Sequence, residues 1–251
     1  MRLIPLLLTL VATATASAHA QELKEITRKS GDSYNQDKEV YHVLKSNHSI
    51  LQGEYKNYHN GKLFTSGFYN NGKPDSTWME YLGDNLVAVK HFSQDNRVGI
   101  WEFYNTNGVL EMKFDFSTGE LTDFRNKEKM DPVQKMTLVP DETGTLKPAV
   151  LDRSPQRIMA SGEYLRFFMY SLRYPHEAID RHEQGTVWVA ITVDENGQAV
   201  DYSIFKSASP SLDQEAIRVQ KMVNCSYLPG TLNGQKVKSA FIQPVTFRLR
   251  N

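Results

Sequence analysis

The chain has 251 residues, 40% hydrophobic and 23% charged, which suits one or two globular domains with real cores. Lys and Arg number 29 and Asp and Glu number 29, so the net charge is zero. No basic tract runs along the chain, which leaves no field to draw nucleic acid or an anionic membrane.

The chain opens with MRLIPLLLTLVATATASAHA. One basic residue, Arg2, precedes a charge-free run from Leu3 to Ala18, and Ala18-His19-Ala20 is an A-x-A processing site. Residues 1–20 therefore read as a signal peptide cleaved after Ala20. That implies an exported chain, periplasmic in a Gram-negative host. The alternative is an uncleaved anchor in the inner membrane that faces the periplasm. The run barely reaches the ~20 residues a bilayer span needs, and threonines weaken it. Residues 21–50 read as a polar lead segment.

From 51 to 121 the sequence repeats. GEYKNYHNGKL (Gly53 to Leu63) aligns with GIWEFYNTNGVL (Gly99 to Leu110), and Trp78 and Trp101 lie 23 residues apart. Such a period predicts a stacked array. Each unit reads as two short strands, with turns at Asn60-Gly61, Asn71-Gly72 and Asn107-Gly108. Single hairpins cannot bury an aromatic face, whereas stacked ones can. Tyr55, Tyr58, Phe68, Trp78, Tyr81, Phe92, Trp101, Tyr104 and Phe114 are thus expected mostly in a core, with an aromatic ligand platform as the alternative. The pattern Gly-x-Trp/Tyr-x-x-Tyr followed by Asn-Gly resembles MORN-type repeats, in the variant called YwqK-like antitoxin repeats. The resemblance implies a β-hairpin ribbon that contacts protein. Ser76 departs from it, standing where the pattern has Gly.

Residues 122–152 are punctuated by Pro132, Pro140 and Pro148 and read as a linker with one short strand. The C-terminal domain is expected over 153–251. Gly162 to Pro175 has Leu165, Phe168, Met169 and Leu172 at helical spacing, with a stop at Tyr174-Pro175. PHEAIDRHE predicts a second, short helix carrying His176 and His182. Six residues turn a helix by about 600°, so these histidines diverge and do not make the i, i+4 zinc pair of H-E-x-x-H. They read as solvated positions.

GTVWVAITV then alternates as a strand, DENG turns it, and QAVDYSIFKS returns. SPSLDQEAIRVQKMV predicts an amphipathic helix capped by Ser209 or Ser211, with Leu212, Ala216, Val219 and Val223 buried. The final strand is expected over Val237 to Leu249, with Val237, Phe241, Val245, Phe247 and Leu249 sharing a face. Pro244 within it marks an edge or a break. An edge offers open backbone groups to a partner. Cys225 is the only cysteine, so no intrachain disulfide can form, and it reads as a buried structural thiol.

The order YPxxA, GxVxVxxxVDxxG, LDxEAxxxxxxM, YLPGxxNGxxVxxxxxxPVxFxL resembles the C-terminal domain of TonB in its Bacteroidetes-type form. Tyr174, Pro175, Ala178, Gly185, Val187, Asp194, Gly197, Leu212, Asp213, Met222, Tyr227, Pro229, Asn233, Gly234, Val237, Pro244 and Phe247 carry it. The resemblance implies an α+β domain, a three-stranded antiparallel sheet with helices on one face, joined here to an all-β array of repeated hairpins. It also implies binding of a TonB-box-like segment of an outer-membrane receptor by strand addition to the last strand. Val237, Lys238, Ser239, Ala240, Phe241 and Ile242 are the candidate partner-binding residues. The implied partners are a TonB-dependent receptor or an inner-membrane ExbB/ExbD-like complex. No catalytic, metal or cofactor residue is expected: the chain has no G-x-S-x-G, no P-loop and no paired-cysteine zinc pattern. The alternative function is a membrane-anchored energy transducer for outer-membrane transport, if the first segment is kept.

Overall fold

The computed structural model describes residues 21–32, 36–125, 136–223 and 225–249. The expected signal peptide lies outside the described residues.

The N-terminal part is one antiparallel sheet. Its strands are β1 (Leu23–Gly31), β2 (Gln36–Leu44), β3 (Asn47–His59), β4 (Lys62–Asn70) and β5 (Lys73–Leu82). β6 (Asn85–Ser93), β7 (Asn96–Arg97), β8 (Ile100–Tyr104), β9 (Leu110–Asp115) and β10 (Glu120–Phe124) complete it. Neighbours in sequence are neighbours in space, with the short β7 folded onto β6. Tight turns set this meander: Asn60-Gly61 has φ values of 48° and 79°, and Asn71-Gly72 has 52° and 78°. Paired positive φ matches the right-handed twist of the flanking strands. The Asn107-Gly108 turn differs. Only Gly108 is left-handed, and the Asn105 side chain accepts from the N–H groups of Asn107 and Val109 at 2.9 and 3.0 Å.

The expected polar lead is instead β1 and β2, paired in register from Leu23↔Leu44 to Gly31↔Gln36. Charged residues on these strands suit a single-layer sheet whose edge faces water on both sides. The same geometry explains the aromatics. Trp101 and Phe114 are buried, whereas Tyr55, Tyr58, Trp78, Tyr81, Phe92 and Tyr104 are half-buried and Phe68 is exposed. Trp78 lies across Gly67, where an added Cβ would meet the indole at 2.1 Å. The Tyr55 and Tyr69 rings flank that indole at 5.6 and 5.0 Å.

The C-terminal part holds a five-stranded sheet in the order β12-β11-β19-β14-β15. Its strands are β11 (Thr137–Pro140), β12 (Leu146–Ala149), β14 (Gly185–Val193), β15 (Ala199–Lys206) and β19 (Ser239–Phe247). Two small two-stranded pairs stand apart: β13 (Gln156–Ile158) with β16 (Ser226–Leu228), which are distant in sequence, and the hairpin of β17 (Gly230–Leu232) with β18 (Gln235–Val237). The helices are α1 (Ser161–Ser171), α2 (His176–Asp180) and α3 (Pro210–Met222). The three expected strands are thus β14, β15 and β19, and the region read as a linker adds β11 and β12.

The expected alternation in β14 appears as Val187, Val189, Ile191 and Val193 packed with Leu212 and Ala216 of α3. The opposite face carries its own apolar cluster, in which Ala190, Ala240 and Ile242 lie beside Leu138 of β11 in the same sheet. Ser209 caps α3, accepting from the Leu212 N–H at 3.4 Å. The stripe expected on α1 is not buried as such: Leu165 and Met169 face solvent. The helix lies between two sheets, so Gly162 and Glu163 are buried on one side while Phe168 joins the C-terminal core on another. α2 stops at Asp180, so His182 lies beyond the helix at φ 53°. His176 and His182 are both exposed.

The two parts share one core. Ala88, Trp101, Phe103, Met112 and Phe114 from the hairpin sheet pack with Ile158, Ala160 and Leu228.

Candidate functional site: the outer side of the last strand

β19 pairs with β14 along its whole length, from Val193↔Ser239 to Gly185↔Phe247. On its other side β11 pairs through Thr137↔Phe241 and Leu138↔Ala240. The last strand is therefore central at these two residues. The expectation of an open rim across Val237 to Ile242 fails there, because a strand from the preceding segment already fills the ladder.

The six candidate residues fall into different settings. Val237 belongs to β18, opposite Gly230. Lys238 links β18 to β19 and donates its N–H to the Glu195 carboxylate at 3.1 Å. Ser239 is fully buried, and a Cβ on Gly230 would meet its hydroxyl at 2.2 Å. Ala240 and Phe241 carry the β11 pairing. Ile242 is buried in the apolar cluster with Leu138 and Ala190. Beyond Phe241, β11 offers no partner, and from Ile242 to Phe247 the strand is paired only with β14 among the described residues. Pro244 lies in that stretch, opposite Trp188. Proline has no N–H to give, so β19 has one backbone donor fewer in this stretch.

Beside this edge a cavity of about 600 Å³ opens between β19, β13, the start of α1 and the end of the hairpin sheet. Arg157 of β13 projects to it and is 9% exposed. Its guanidinium stacks 4.1 Å from the Tyr164 ring centroid. It donates at 3.4 Å to the side-chain oxygens of Gln243 and Gln220. No carboxylate pairs with it among the described residues. Sequence reading passed over this arginine; its one signal was a lone cation ahead of the apolar Ile158-Met159-Ala160.

A second charge cluster fixes α1 against the hairpin sheet. Lys90 of β6 reaches Glu80 of β5 at 2.8 Å and Glu163 of α1 at 2.6 Å. Arg166 of α1 pairs with Glu80 and lies 4.2 Å from the Phe64 ring centroid. Burial opposes ionisation of Glu80, but Lys90 and Arg166 outweigh it and hold its carboxyl below the usual glutamate range. Burial pushes Glu163 the other way, above that range, and one of its oxygens has no hydrogen-bond partner. Glu111 of β9 adds a further clamp, accepting from the Ser161 N–H and hydroxyl at 2.7 and 2.8 Å.

This architecture defines a class: a small α+β domain, helices packed on one face of an antiparallel sheet, joined through a shared core to a β-hairpin array. Within it, residues 170–249 match the family described as Gram-negative bacterial TonB protein C-terminal, a family of protein-interaction domains. No curated protein and no solved structure shows significant similarity to the chain. No helix among the described residues is long and apolar enough to cross a membrane.

Proposed function

We propose that the protein is a periplasmic binding or adaptor module that engages a partner polypeptide by β-strand addition to the outer side of β19. The observation that carries this reading is the match over 170–249 together with the stretch from Ile242 to Phe247, which has no second strand beside it among the described residues. The partner is an extended segment of an outer-membrane receptor of the TonB-dependent type, or a component of an ExbB/ExbD-like complex. β11 acts as a built-in occupant of the ladder. A partner pairs with Ile242 to Phe247 directly. It reaches Val237 to Phe241 only when β11 swings away.

A photo-crosslinker at the exposed Thr246 tests this. It should capture a TonB-dependent receptor from solubilised outer membranes. The same probe at Val200, on the opposite edge strand β15, should not. Equal labelling at both positions, or none at Thr246, would remove the reading. A disulfide between Leu138→Cys and Ala240→Cys, in a Cys225→Ser background, locks β11 in place. Loss of capture on oxidation then means that β11 must leave. The export part of the reading is tested by the mass of the mature chain. A first residue of Gln21 fits the adaptor, and retention of 1–20 fits an anchored transducer.

A further inference from the structure

We propose that the cavity beside Arg157 is a binding site for a small organic carboxylate with an apolar body. Three side chains on its wall, all from the segment 153–157, carry buried nitrogens with no hydrogen-bond partner: Arg153 Nε, Gln156 Nε2 and Arg157 Nε. Among the described wall residues none has a buried side-chain oxygen in that condition. A buried donor left unmade costs free energy, more so when it is charged; these nitrogens are closed off from the cavity itself, but they leave its wall rich in donors and electropositive, which favours an anionic guest.

The charge balance points the same way. The Arg157 guanidinium is buried, and burying a cation without an anion is costly. Among the described residues its titratable neighbours do not supply the missing charge. Burial pushes the Cys225 thiol and the Tyr164 and Tyr227 phenols up from their ordinary values, so all three are neutral at pH 7. The two carboxylates on the wall are engaged elsewhere. Glu111 holds the start of α1, and Asp152 accepts from the Gly234 N–H at 2.9 Å. The guanidinium fork matches a planar carboxylate, and Gln243 stands beside it at 3.4 Å. Leu121, Phe124, Met136, Phe241 and Ile242 line the rest, which suits a hydrocarbon body. The cavity volume lies within the usual range for small-molecule sites.

Such a carboxylate has two sources, a free aliphatic acid or the end of a short apolar peptide, and calorimetric titration of the purified full chain separates them. One arm compares decanoate with decanol. The other compares N-acetyl-Leu-Phe with its C-terminal amide. The expected result is saturable one-to-one binding of at least one acid, weakened tenfold or more in its neutral analogue. The arm that responds names the source. Arg157→Gln should abolish the difference between acid and neutral analogue, and Arg157→Lys should restore part of it. Absence of binding in both arms, or equal binding of acid and neutral analogue, overturns the proposal. Should Arg157→Gln fail to fold, the comparison of analogues on the native protein decides alone. This inference does not depend on strand addition at β19, since the titrations use no partner protein.

Discussion

Ser76 holds its backbone at φ 60°, while the glycines at the matching repeat positions, Gly53 and Gly99, hold 100° and 62°. A side chain in that region costs roughly 1–2 kcal/mol, and Gly forfeits part of this gain through its looser unfolded chain. Ser76→Gly should therefore raise stability by about 0.5–1 kcal/mol, read as a higher urea midpoint at unchanged slope. The departure was visible in the sequence as a broken repeat, and its cost became visible only with the dihedral. Glu80 is the opposite case, since nothing in EYLGD marks it as the carboxylate between two cations. Glu80→Gln leaves Lys90 and Arg166 with only Glu163 and should cost about 3 kcal/mol at pH 7. Glu163→Gln should cost less, because its ionisation is itself opposed by burial. The sign with pH follows from the lowered carboxyl of Glu80. Its contribution is complete above the unfolded glutamate value of about 4.3 and is lost as pH falls through the lower folded value. Urea titrations from pH 7 down to pH 3 should show the gap between wild type and Glu80→Gln closing at the acid end.

Elements were legible where one apolar period dominates, even in β14, which is buried on both faces. β14, β15 and α3 repeat their apolar residues at a single period, and the structure has them near the expected limits. α1 was found, but its buried side was not, because a helix between two sheets has two contact lines and its apolar pattern no longer marks one stripe. β1 and β2 were missed because a single-layer sheet needs no apolar alternation in its outer strands. The sequence predicts one short strand in 122–152 and two are present, β11 and β12, each of four residues and containing Pro140 or Pro148, against which propensity speaks. What was not foreseen is that β11 pairs onto β19. For α1, the decisive contact is Gly162, where an added Cβ would meet the Tyr104 carbonyl oxygen at 2.5 Å and Val87 at 2.7 Å. Gly162→Ala should lower stability by about 2 kcal/mol despite alanine's better helix propensity, because backbone of β8 cannot yield. Thermal unfolding followed by far-UV circular dichroism would check it; an unchanged or higher midpoint would mean that α1 does not press on β8.

At the scale of the molecule, the hairpin array and the α+β part are joined by apolar packing as well as by charge. Trp101, Phe103 and Met112 share a core with Ile158, Ala160 and Leu228, Arg97 donates to the Ser226 hydroxyl at 2.6 Å, and the Lys90–Glu163 pair crosses the same boundary. Calorimetry should accordingly give one transition with equal van't Hoff and calorimetric enthalpies. Two resolved peaks would mean that the halves melt as separate bodies. The shared core has a practical corollary. A fragment cut at residue 153, the natural choice for anyone isolating the family-like segment, would carry Ile158, Ala160 and Leu228 into water with their aromatic counterparts gone. It should clump or bind hydrophobic dyes, and adding the hairpin fragment in trans should rescue its solubility.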